Sequence, residues 1–148
     1  FDQIQKFFFY FDLALGLVGL IALVTASLGI VNTMVMSIVE RTREIGVLKS
    51  LGADEGAIRV LFLVESGVIG GIGASVGITF GWLITRIASG IAKAVMRDQG
   101  IDPVELFAMP LWLVGTAFLF GLVVSLIAGF YPSSRAAKVD PVEALRND

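Results

Sequence analysis

Residues 13–39 carry no charged side chain, and neither do residues 66–85 or 106–134. A helix rises about 1.5 Å per residue and needs about 20 mostly apolar residues to cross the hydrocarbon of a bilayer. Each run meets that length. Three such runs in 148 residues leave too little chain to shield them from water. Only 16% of the residues are charged and the mean hydropathy is +0.87, against about 25% charged in soluble domains. The expected fold class is an all-α integral membrane protein with three transmembrane helices.

The expected organisation is an interfacial lead-in or elbow over 1–12, then spans over 13–37, 57–86 and 110–131. A charged loop over 38–56 separates the first two spans. A short extracytoplasmic loop over 87–109 separates the last two, and a cytoplasmic tail covers 132–148. The aromatic lead-in "IQKFFFYFD" suits the headgroup region, where rings anchor a span. Lysine and arginine set orientation. Arg41, Arg43, Lys49, Arg59, Arg135, Lys138 and Arg146 fall on one side, against Lys6, Arg86, Lys93 and Arg97 on the other. That bias places the loop and the C-terminus in the cytoplasm. The N-terminus then lies outside, which requires an earlier span. The first residue is Phe1 and no signal peptide is evident, so the expectation is a piece of a longer or processed protein.

Lipid gives apolar helices no hydrophobic reason to associate, so small residues that admit a second backbone supply much of the packing. In the second span Gly67 and Gly71 are four apart, as are Gly70 and Ala74, and Gly73, Gly77 and Gly81 form a longer series. The third span repeats the spacing with Ala117, Gly121, Ser125 and Gly129. Both helices are expected to pack through these faces.

The loop "SIVERTREIGVLKSLGADEGAIR" is the most charged stretch. Ile38, Ile45, Leu48 and Leu51 can share one helical face. Arg41 with Glu44, and Glu40 with Arg43, are spaced for surface ion pairs. Gly52 fits a helix stop and Asp54 an N-cap for the next helix. Helix connections usually take about two to eight residues, so a capped amphipathic helix here implies a partner for its stripe, either a protein or the membrane surface. In the tail, Pro132 is expected to end the third span. Asp140 and Pro141 fit the start of a short C-terminal helix, "PVEALRN".

Several functions are excluded or weakened. Without Cys or His the chain has no disulfide, no thiol chemistry and none of the commonest metal ligands. No basic stripe suggests nucleic acid. "GIGASV" lacks the third glycine and the preceding strand of a dinucleotide site, and no Walker A sequence exists, so this chain is expected not to be an enzyme or to hydrolyse ATP. Glu65 lies about two turns into the second span. Either it is an interfacial carboxylate that reaches water or a nearby cation, or it is the intramembrane group of an ion- or proton-coupled carrier. A non-transporting scaffold assembled through its glycine faces is a further alternative.

"VERTREIGVLKSLGA" (39–53), a glycine-rich span, and "GFYPSSRAAKVDPVEALR" (129–146) together resemble the FtsX-like permeases of ABC transporters, in particular the MacB type. The resemblance covers the chain after about Phe11. It implies spans two to four of a four-span permease, with a large extracytoplasmic domain between spans one and two. It implies a coupling helix over about 42–51 that docks on an ABC ATPase, with Glu40, Arg41, Arg43, Glu44, Leu48, Lys49 and Leu51 as the coupling residues. It further implies a homodimer or heterodimer of permeases in the bacterial inner membrane, in contact with lipid, and allows a periplasmic adaptor. ATP and Mg would be bound by the partner or fused ATPase and no cofactor by this chain. The family mechanism, mechanotransmission, passes ATPase closure through rigid helices to work outside, such as drug or peptide export or lipoprotein release.

Overall fold

The structure, a computed structural model, describes residues 2–98, 100 and 109–140. The described residues form four helices: α1 (Asp2–Glu40), α2 (Thr42–Ser50), α3 (Glu55–Asp98) and α4 (Leu111–Ala137). Three of them, α1, α3 and α4, are long and apolar enough to cross a membrane. The expected C-terminal helix, and the 101–108 part of the expected extracytoplasmic loop, lie outside the described residues.

The helices outrun the apolar segments that predict them. At 39 and 44 residues, α1 and α3 are roughly 58 and 66 Å long, well beyond the ~30 Å of hydrocarbon. The expected elbow at 1–12 is absent among residues 2–12, which continue straight into the span. Nothing there breaks a helix: no Pro occurs, and the first Gly is Gly16. Likewise α3 continues through residues 87–98, where a loop was expected, because charge alone does not stop a helix. Pro132 does not end α4, which runs on to Ala137. Proline costs one intrahelical hydrogen bond, but Pro132 is wholly buried, and Ala136 and Ala137 beyond it belong to the core.

The chain divides into two compact units, 1–66 with 127–148, and 67–126. The first has an apolar core of Met34, Ile38, Ile45, Ile58, Phe62, Ala136 and Ala137, contributed by all four helices. Gly129 on α4 permits its tightest approach: a Cβ there would collide with the Ser66 side chain and come within 3.1 Å of Met34 Sδ.

In the second unit, α3 and α4 meet through small residues. A Cβ on Gly70 would overlap Ser125, and one on Gly121 would lie 3.0 Å from Ala74 Cβ. Ser125 is fully buried. Gly67, Gly71 and Gly81 have looser neighbours, namely Leu126 at 3.4 Å, Phe118 at 3.9 Å and Met109 at 4.0 Å. Gly73 and Gly77 meet nothing within 4 Å inside this chain. Positions 67, 70, 74, 77 and 81 follow the three-to-four spacing of one helix face, so the open space at Gly77 reflects the absence of a neighbour at that level of α3.

Candidate functional site

The junction of α1 and α2 is almost continuous. Arg41 N–H donates to Ser37 O, and Ile45 N–H to Arg41 O, both at 3.1 Å. Arg41 itself leaves the helical region with φ −106° and ψ 17°, so α2 departs from α1 at a single residue. Glu40 and Arg43 straddle that break and do not pair with one another. Arg41, at the break, pairs with Glu44 one turn on, Nε to Oε2 at 2.9 Å.

The other end of α2 closes with a Schellman motif. Gly52 N–H donates to Lys49 O and Ala53 N–H to Leu48 O, each at 3.0 Å. Gly52 has φ +102°, a conformation that glycine adopts without penalty. Ala53 packs on the core. Asp54 then caps α3, its Oδ1 accepting from Ala57 N–H at 3.0 Å. The C-terminal end of α2 and the start of α3 are thus fixed by local sequence.

The faces of α2 are sorted by tertiary contact. Ile45, 2% exposed, points into the core beside buried Gly46. Leu48 and Leu51 do not join it: they are 40% and 80% exposed. The expected stripe through Ile38, Ile45, Leu48 and Leu51 is therefore split. Val47, exposed and absent from the expected coupling set, completes an outward surface with Arg43, Glu44, Leu48 and Leu51. Its one-turn spacing from Glu44 and Leu51 was the available signal.

Lys49 Nζ donates to Ala137 O and Val139 O, both at 2.8 Å. The last carbonyls of a helix lack intrahelical donors and carry the negative end of its dipole. An ammonium from α2 bonds the last carbonyl of α4 and the one two residues beyond it, so Lys49 ties α2 to the end of α4.

Glu65 pairs with a nearby cation. Its Oε2 lies 3.6 Å from Arg41 Nη1, and its Oε1 accepts a long 3.5 Å bond from Ser37 Oγ. Arg41 is held above the ordinary arginine value, first by its hydrogen bond to Glu44 and then by that carboxylate's charge, with Glu65 adding less. It bridges the start of α2 to α3.

Residues 16–141 match the family model described as FtsX-like permease C-terminal. The chain belongs to the FtsX-like permease family. This permease is 38% identical over 134 residues to the ABC transporter permease YknZ of Bacillus subtilis, covering 89% of this chain and 30% of that one. It is 37% identical over 131 residues to an ABC transporter permease of Methanocaldococcus jannaschii, covering 88% and 32%. It is 33% identical over 147 residues to MacB of Pseudomonas entomophila, a probable export ATP-binding/permease protein, covering 99% and 20%. The chain thus spans between a fifth and a third of these relatives' length.

Proposed function

We propose that this permease segment couples ATP hydrolysis by a partner or fused ABC ATPase to work on the far side of the cell membrane. The observation that carries the proposal is the two-sided construction of α2. Its inner side is anchored by Ile45 in the core and by Lys49 on the end of α4. Its outer side presents Arg43, Glu44, Val47, Leu48 and Leu51. A helix held this way moves with α1 and α4, so force applied to its outer face reaches two membrane-spanning helices. ATP and Mg belong to the ATPase. The docking end, with the C-terminus, faces the cytoplasm, and two permeases face two ATPases as a homodimer or heterodimer. Export of a drug or peptide, or release of a lipoprotein, is the class of work this arrangement serves, with an adaptor joining outside in some assemblies.

Native cysteine is absent, which makes the test direct. Leu48→Cys in the full-length protein is crosslinked in native membranes and the attached peptide identified by mass spectrometry. A peptide from an ATPase domain is expected. A thiol shielded by lipid, with no protein adduct, overturns the docking assignment. Leu48→Asp is expected to abolish substrate-stimulated ATPase activity while leaving the protein folded, since Leu48 lies outside the core.

A further inference from the structure

A groove of about 330 Å³ lies in the first unit between the ends of α1 and α4. Val35, Ile38 and Val39 line it from α1, and Pro132 and Val139 from α4 and the residues after it. Thr42 and Arg135 are its polar lining residues. Thr42 Oγ1 is already engaged with Ile38 O and Val39 O at 2.9 and 3.0 Å. Arg135 is exposed, and its guanidinium has no ion-pair partner among the described residues.

We propose that this groove is a binding site for one anionic glycerophospholipid, with an acyl chain along Val35, Val39 and Val139 and the phosphate on Arg135. Three observations favour that occupant. The groove sits where uncharged runs give way to charged ones, at residues 39–41 and 134–135, which is headgroup depth. Its wall is aliphatic, so an acyl chain fills it without stranding a polar group. The one free polar group is a guanidinium, whose planar fork matches a phosphate bidentately, and whose apolar stem can lie along the groove while its head reaches the interface. The site lies away from the outward face of α2, so a lipid there would brace the α1–α4 contact that α2 pulls upon.

The test uses the full-length protein in nanodiscs of phosphatidylcholine with a minority of phosphatidylglycerol. Lipid retained after detergent stripping is identified by native mass spectrometry. Wild type is expected to retain phosphatidylglycerol in preference to phosphatidylcholine. Arg135→Gln is expected to lower that preference about fivefold, the factor given by roughly 1 kcal/mol per cation near an anionic surface. Arg135→Lys keeps most of it, which separates loss of charge from loss of fold. Val35→Trp, which fills the groove, loses the retained lipid of either headgroup. Arg97→Gln removes a cation from the second unit and leaves retention unchanged. An unchanged preference in Arg135→Gln, an equal loss in Arg97→Gln, or a second protein chain in the groove would each overturn the proposal.

Discussion

The two units are held by different chemistry. In the first, long-range polar ties join separate helices: Lys49 to the end of α4, and Arg41 and Ser37 to Glu65. In the second, α3 and α4 meet at Gly70 against Ser125 and Gly121 against Ala74. The hydroxyls described there donate back along their own helix, as Ser75 does to Gly71 O and Ser125 to Leu122 O. Charged ties suit a helix end that must hold an amphipathic element near water. Small-residue contact suits a stretch where lipid offers no hydrophobic drive and an unpaired polar group is costly. The position of α2 is therefore fixed by bonds that single substitutions remove, and that of the spanning pair by space that single substitutions fill.

The sharpest way to break the comparison is to fill that space. Gly70→Val is expected to cost about 3 kcal/mol or more, the upper range for overpacking, and to lower the Tm of the purified protein in fluorescence-detected gel filtration. Gly129→Val in the first unit should match it, since its Cβ would meet Ser66 and Met34. Next comes Lys49→Met, which keeps the aliphatic stem and removes two hydrogen bonds from a charged donor. It is expected to cost about 2 kcal/mol. Hydrogen exchange should rise in α2 and the end of α4 while residues 67–98 stay protected, and equal deprotection of both units would contradict separate locking.

Gly52→Ala forces a side chain into the left-handed region and should cost about 1 kcal/mol. Arg41→Gln should cost less than about 1 kcal/mol, because its ion pairs are half exposed. The raised pKa of Arg41 works in the stabilising direction. Its contribution is full below the unfolded value and is lost only as pH rises through the still higher folded one. Titration of this arginine therefore adds no slope to stability between about pH 6 and pH 9, which thermal melts across that range would check. The smallest effect is expected at Gly73→Ala. It meets open space within this chain, and alanine favours a helix over glycine by up to about 1 kcal/mol. Its Tm should hold or rise slightly.

Local signals in the sequence proved readable where the cause was local. Gly52 and Asp54 close and open helices as their residue types require, because caps depend on neighbours within a few positions. The small-residue spacing marked α3 and α4 as packing helices but could not say at which levels they would touch: Gly70 and Ala74 meet α4, and Gly73 and Gly77 meet open space within this chain. The amphipathic stripe of α2 misled because hydrophobicity does not reveal which apolar residues face inward: Ile45 is buried while Val47, Leu48 and Leu51 stay exposed.

Three spanning helices, the C-terminal stop of the amphipathic helix between the first two, and the permease motifs are legible in the residues alone. They follow from uncharged length, capping chemistry and motif, all carried by residues close together in the chain. Tertiary contacts alone turn Lys49 inward, set Arg41 beside Glu65, and leave Val47 on the outer face of α2. The partners of Lys49 lie 88 and 90 residues away, and both are backbone carbonyls at a helix end. Every residue carries such a carbonyl, so no side-chain pattern announces which one a distant lysine will reach.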